Sequence, residues 1–191
     1  MTETADLELR ARLRRGDERA LARLLDQYWS PLLAYATRLL RSRDAAEDAV
    51  QEAFVRLWQH RESWDLEGSV RGLLYRVTRN AALDERKRRV TRRRLAGQVN
   101  RPGATPPADL EVVATELEVM VARAIARLPP RRREIFLLAR RDGLSYHQIA
   151  FVLDLSVQTV ANHMSLALRD LRHAVAPHLD RPSRDDASGT R

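Results

Sequence analysis

Residues 128–172 read LPPRRREIFLLARRDGLSYHQIAFVLDLSVQTVANHMSLALRDLR, and the fold follows from how this stretch is punctuated. Pro129 and Pro130 end one helix and open another, since proline lacks the N–H an interior helical position needs but is tolerated in the first turn. That second helix runs to about Arg141, and Gly143 fits the left-handed residue that stops it. Ser145 caps a short helix, Tyr146 to Leu153. Asp154, Leu155 and Ser156 make a tight turn, and a longer helix runs from Val157 to about His173. Ile149, Leu153, Leu155 and Val160 take the apolar positions of this unit, and Ala150 the small position that closely crossing helices demand. The spacing predicts a helix-turn-helix, with an ordinary helical hairpin as the alternative. Ser156, Gln158, Thr159, Asn162 and His163 then lie on the exposed early turns of its second helix, the part that enters a major groove.

Upstream, a helix is expected from about Leu110 to Leu128. Between Thr91 and Asp109 the periodicity is lost while Gly97, Pro102, Gly103, Pro106 and Pro107 gather, which is linker chemistry. No stretch alternates apolar and polar residues long enough to argue for a strand. The expected fold class is therefore all-α: two small helical domains joined by a flexible linker, the C-terminal one containing the helix-turn-helix. The boundaries are 1–90, a linker over 91–109, a second domain over 110–178, and a disordered polar tail over 179–191.

In the first half, Leu7, Leu9 and Leu13 suggest a short helix ending at Gly16, and Asp17 caps a second helix carrying Leu21, Leu24, Leu25 and Tyr28. Ser30 and Pro31 read as a fresh N-cap and first-turn proline, so the helix restarts or kinks there and continues to about Leu40. From Asp44, DAAEDAVQEAFVRLWQ places Ala46, Val50, Phe54 and Leu57 on one apolar stripe. Asp44, Glu47, Asp48, Gln51 and Glu52 crowd its first two turns, with Trp58 at i+7 from Gln51. Such a face is either a solvated helix start or a docking face for a basic partner. After a break at 63–68, SVRGLLYRVTRNAALDERKRR resumes helical spacing with Val70, Leu73, Leu74, Val77 and Ala81 as its buried stripe. Opposite lie Arg71, Tyr75 and Arg79, with Arg76 and Asn80 beside them and Arg86, Lys87, Arg88 and Arg89 in the next turns. Guanidiniums pair with phosphates and an exposed ring stacks on bases; Tyr75 packed in the core is the alternative.

Composition narrows the class. The 191 residues hold 34 basic and 26 acidic side chains, a net charge of +8, and no cysteine. Disulfides, thiolate metal sites and cysteine nucleophiles are thereby excluded. Residues 1–60 are charge-neutral, whereas 61–101 carry 12 basic against 5 acidic side chains, a clustering that fits nucleic acid. No window approaches 18 consecutive apolar residues and the opening MTETADLELR is acidic, so no stable membrane insertion is expected and the expected location is cytoplasmic. GxSxG, P-loop and HExxH patterns and glycine-rich phosphate turns are absent, so neither an enzyme nor a cofactor is expected. A metal nuclease built on Asp44, Glu47 and Asp48, joined by His147 or His163, is the enzymatic alternative.

Three blocks, DAAEDAVQEAFVRLW, LLYRVTRNAALDERKRR and the stretch quoted first, together resemble a bacterial sigma-70 family RNA polymerase sigma factor of the extracytoplasmic-function (ECF) group, over about 16–89 and 128–172. The resemblance implies an initiation factor whose N-terminal domain docks on core RNA polymerase and melts the −10 element, while its C-terminal domain reads the duplex −35 element. Asp44, Glu47, Asp48, Gln51, Glu52 and Trp58 would then dock on the polymerase. Arg71, Tyr75, Arg76, Arg79, Asn80, Asp84, Arg86, Lys87 and Arg88 would meet single-stranded −10 DNA. Arg131, Arg132, Ser156, Gln158, Thr159, Asn162, His163 and Arg169 would meet −35 DNA, and no metal site is implied. The loop 62–68 would form a pocket for a flipped base with Ser63 and Trp64, unless Trp64 is a core anchor. The resemblance also implies sequestration by an anti-sigma factor, and TVANHMSLAL looks like the iron-uptake-type subgroup. Leu73 and Val70 stand where many members carry Trp and Phe, and Ala161 and His163 where Lys and Arg are frequent. The helix-turn-helix alone also resembles that of LuxR-type regulators, which bind duplex DNA without polymerase. A linker of about 19 residues spans at most about 60 Å, or about 18 base pairs, enough for two promoter elements.

Overall fold

The computed structural model describes residues 3–63, 69–95 and 116–179. Its described residues are helical with no strand: α1 (Glu3–Arg14), α2 (Glu18–Leu40), α3 (Arg43–Gln59), α4 (Val70–Leu95), α5 (Glu116–Arg127), α6 (Pro130–Arg140), α7 (Tyr146–Leu153) and α8 (Val157–Leu179). They fall into two compact units. One holds α1 to α4 with His147–Leu155; the other holds α5, α6 and α8.

In the first unit, Gly16 turns the chain out of α1 at φ +76°, and Asp17 caps α2 by accepting from the N–H groups of Arg19 and Ala20 at 3.0 and 3.3 Å. The Arg12 guanidinium, 2.8 Å from Asp17, holds that carboxyl below the usual carboxylate range. The Ser30–Pro31 pair does not restart the helix, because α2 runs unbroken with Pro31 inside it. Leu24, Tyr28, Leu32, Tyr35 and Ala36 keep one buried face across that point. Burial of the large members at about 1.5–3 kcal/mol each outweighs the roughly 3 kcal/mol of an interior proline. Arg41, left-handed at φ 53°, closes α2, and Ser42 immediately caps α3. This two-residue corner folds α3 back on α2.

Helices α2, α3 and α4 pack against one another pairwise. Ala45, Ala46, Ala49 and Ala53 on α3 and Ala81 and Ala82 on α4 are buried and let the helices approach closely, while Val50, Phe54, Leu57, Leu74 and Tyr75 fill the space between. Leu13 anchors α1, whereas Leu7 is exposed, so the expected Leu7–Leu9–Leu13 stripe contributes one buried side chain.

In the second unit, Ile135 and Leu138 of α6 are buried, as are Val160, Met164 and Ala167 of α8, and Arg132 pairs with Asp170 between the two helices. Gly143 adopts φ +65° after α6, as the sequence requires. At the end of α7, Asp154 is left-handed at φ 54° and the Leu155 N–H donates to Ala150 at 2.9 Å, a helix-closing bond of the Schellman type. Helix α4 extends to Leu95, past the expected linker start at Thr91, and α8 extends to Leu179, past His173. The remainder of the expected linker, the start of the helix expected at Leu110, the Trp64 pocket and the tail from residue 180 lie outside the described residues.

Candidate docking and nucleic-acid interfaces

Helix α3 is amphipathic by a division of labour around its axis. Its alanines and Val50, Phe54 and Leu57 face the core, and Asp44, Asp48, Gln51, Val55 and Trp58 recur at intervals of four, three, four and three on the other side. That spacing makes one straight stripe on a helix, the seam along which a second helix packs. Asp44, Asp48 and Gln51 are exposed, and neither aspartate has an ion pair among the described residues. Glu47 and Glu52 differ, being held by Arg43 at 3.0 Å and by Arg56 at 2.7 Å. The Glu52 hydrogen bond raises the Arg56 pKa still further above neutrality, so that cation is a permanent counter-charge. Trp58 is half-buried with the Arg61 guanidinium 4.8 Å over its ring. Val55, 48% exposed one turn beyond Gln51, is an open apolar side chain that reading for charge alone passes over. Its signal in the sequence is the four-three spacing itself. Two unneutralised carboxylates at one end of the stripe and exposed apolar surface at the other suit a basic amphipathic helix.

Helix α4 departs from expectation. Tyr75 was expected on the open face; it is 0% exposed and tilts against Tyr35 at 5.2 Å between ring centroids. Val70, Leu74, Thr78, Ala81 and Ala82 are buried with it, while Leu73 and Val77 are only half-buried. The core face is thus turned toward Tyr75, because an aromatic from α2 meets an aromatic from α4 across small neighbours, and an edge-tilted ring pair is favourable at this separation. Arg71 lies beside Tyr75 and is half-buried, so the Arg71–Tyr75–Arg79 line is not one exposed stripe.

The remaining residues of that set divide. Arg79, Asn80, Arg86 and Lys87 occupy one arc, with the last three exposed. Arg76 is half-buried, its guanidinium 4.5 Å over the Phe151 ring of α7. Gln148 of the same helix donates to Ser69 Oγ at 2.6 Å, the hydroxyl that caps α4 through the Gly72 N–H. Asp84 pairs with Arg56 at 3.5 Å and so ties α4 to α3. Arg88 is drawn to Glu85.

In the second unit and the turn that leads into it, Ser156 caps α8, its Oγ accepting from the Thr159 N–H at 3.1 Å and lying 2.7 Å from the Thr159 hydroxyl. Gln158 Nε2 donates to Asn162 Oδ1 at 3.0 Å, which aligns two amide side chains on an exposed face. Thr159 and His163 are half-buried. Gln158, Asn162, Ser165, Arg169 and Arg172 again recur at four, three, four and three, and all five are exposed. The sequence reading did not include Ser165 and Arg172, although the same spacing marks them. Amides at the helix start and cations a turn or two later suit base edges and backbone phosphates respectively. Arg131 and Arg132, expected as DNA contacts, are engaged within the chain: Arg131 with Glu134 at 3.1 Å, and Arg132 with Asp170. Among the described residues no group of three or more His, Asp or Glu could hold a metal ion, and no helix is long and apolar enough to cross a membrane.

Residues 24–93 match the Sigma-70 region 2 family and residues 118–171 match the Sigma-70, region 4 family. The ECF RNA polymerase sigma factor SigL of Mycobacterium tuberculosis is 34% identical over 158 residues, spanning 81% of this chain and 89% of the relative. SigW of Bacillus subtilis is 27% identical over 170 residues, 84% of this chain and 91% of its own length. Among solved structures, CnrH in complex with the cytosolic domain of CnrY superposes with a TM-score of 0.62 at 25% identity, covering 93% of this chain and 99% of that one. Both sigma regions in one chain do not favour the stand-alone LuxR-type alternative. The chain belongs to the extracytoplasmic-function group of sigma-70 family RNA polymerase sigma factors.

Proposed function

We propose that this sigma factor divides its work among three surfaces. The α3 seam, centred on Asp44, Asp48, Gln51, Val55 and Trp58, docks on core RNA polymerase. The open arc of α4, Arg79, Asn80, Arg86 and Lys87, receives the single-stranded −10 element, with Arg76 at its edge. The α8 stripe beginning at Gln158 and Asn162 enters the major groove of the −35 duplex. In domain terms, 1–90 form sigma domain 2 and 110–178 sigma domain 4, acting in the cytoplasm. Chemistry belongs to the polymerase, and the protein itself performs none. The α3 seam also fits an anti-sigma factor, because an inhibitor that covers Asp48 and Val55 blocks docking. Structures of similar sigma factors contain such partners: RpoE of Bartonella quintana was solved with the anti-sigma factor NepR.

The observation that carries this reading is the sign of the unpaired charge on each of these three helices. On α3 the carboxylates that make no ion pair among the described residues are Asp44 and Asp48, whereas α4 presents Arg86 and Lys87 and α8 presents Arg172, cations likewise without one among the described residues. A surface for a basic protein helix is thus kept apart from surfaces for phosphate, as electrostatic complementarity requires.

The test is in vitro transcription with bacterial core RNA polymerase on fragmented genomic DNA, with and without the protein. Start sites that depend on the protein and share two spaced upstream motifs are the expected result. Duplex binding without core and no new start sites would overturn it.

A further inference from the structure

The basic run at the end of α4 is not evenly available. Glu85 stands at its start with a side chain only 17% exposed, and three arginines converge on it. Arg92 Nη2 lies 2.9 Å from Oε1, Arg89 Nε 3.2 Å from the same oxygen, and Arg88 Nη1 3.7 Å from Oε2. Arg89 also donates through Nη2 to Ser42 Oγ at 3.3 Å, the hydroxyl that caps the docking helix α3. At about 100° per residue, Glu85, Arg88, Arg89 and Arg92 share one arc of about 100°, centred roughly opposite the arc of Arg79, Asn80, Arg86 and Lys87.

A helix carrying Arg86, Lys87, Arg88, Arg89 and Arg92 with no acid beside them would present cations all around its circumference. A flexible polyanion could then lie along either side. We infer that Glu85 is a positioning residue for −10 binding. It draws Arg88, Arg89 and Arg92 onto the side of α4 that faces α3 and leaves the opposite side as the face that receives the strand. Ser42 fixes the direction, since Arg89 can reach it only from the α3 side. The inference rests on the reading of α4 as the −10 helix and adds which of its cations the strand meets.

Salt dependence tests it, because the slope of log affinity against log salt counts phosphates contacted and does not respond to a purely structural defect. The probe is a fluorescein-labelled single-stranded 20-mer of random sequence, titrated with the full chain from 50 to 300 mM salt. Glu85→Gln should make the slope steeper by about 0.7 for each strand phosphate that a released arginine gains. The triple variant Arg88→Ala, Arg89→Ala, Arg92→Ala, with Glu85 intact, should leave the slope within about 0.3 of the parent, since those cations are already engaged. Arg86→Ala with Lys87→Ala should lower it by about 1.4, two phosphates' worth. An unchanged slope in Glu85→Gln, with or without a change in melting temperature, overturns the proposal. So does a drop of about 2 in the triple variant, which does not depend on Glu85 being replaceable. No change with Arg86→Ala and Lys87→Ala overturns the reading of α4 itself, and the positioning role with it.

Discussion

Asp48→Arg isolates the docking seam from the fold. Asp48 is exposed, one turn beyond Asp44 and two turns before Val55, and makes no ion pair among the described residues. Its replacement breaks no internal contact, so stability should change by no more than about 0.5 kcal/mol. Against a basic partner helix, a charge pair at about 4 Å in a solvent-exposed rim gains about 1 kcal/mol. Reversal removes that attraction and installs a repulsion of similar size, about 2 kcal/mol in all, or about 30-fold in Kd. The assay is equilibrium binding of the labelled full chain to core RNA polymerase at 0.1 M salt, with thermal melting of each variant alongside. Asp26→Arg, the same charge change at an exposed position on α2 away from the seam, is the control and should shift Kd by less than about twofold. The Asp48 effect should also shrink as salt is raised toward 1 M, where screening shortens to about 3 Å. An unchanged Kd in Asp48→Arg refutes the docking assignment. An equal loss in Asp26→Arg refutes its localisation to α3.

The packing of Tyr75 makes a contrary prediction for a residue that looked DNA-facing: Tyr75→Ala should cost about 3–5 kcal/mol and lower the melting temperature of its unit by more than about 12 °C by calorimetry, whereas Tyr75→Phe should bind a single-stranded oligonucleotide like the parent. Once the protein's promoter is mapped, Asn162→Ala should lose about 1–3 kcal/mol of discrimination at one −35 base pair, read by competition between matched and mismatched duplexes. Arg172→Ala should instead weaken duplex binding uniformly across sequences and lower the salt slope by about 1. For Asp17 the carboxyl pKa lies below its ordinary 3.8 because the Arg12 guanidinium and two helix N–H groups favour the charged form. A depressed carboxyl contributes stability that is present above about pH 3.8 and is lost as pH falls through the folded-state value. Asp17→Asn keeps the cap but not the charge, so the gap in urea midpoint between it and the parent should be present at pH 6 and vanish below that range.

The helix-turn-helix was legible because its punctuation is local. Gly143 and Asp154 stop helices by adopting positive φ, and Pro130 and Ser156 start them, all through backbone chemistry within a few residues. The same holds for Asp17 and for the apolar stripe of α3. The acidic and basic blocks were equally plain, since charge is written directly in the residue letters.

Three things needed the tertiary structure. Pro31 argued for a helix restart or kink, and only the buried face of Leu24, Tyr28, Leu32, Tyr35 and Ala36 shows why the helix continues. The orientation of α4 could not be read from its own residues, since Tyr75 fits a wet face as well as a buried one until Tyr35 is found against it. The availability of each charge is also a pairwise property across distance. Arg132 is committed to Asp170 thirty-eight residues away and Arg89 to Ser42 forty-seven away, while Asp48 and Lys87 make no ion pair among the described residues. Apart from the join at Pro31, sequence by itself determined which helices form and which carry charge, because propensity, capping and periodicity act over one or two turns. Which side chains remain open to a partner was decided by packing, because burial and ion pairing depend on residues that only the folded chain brings together.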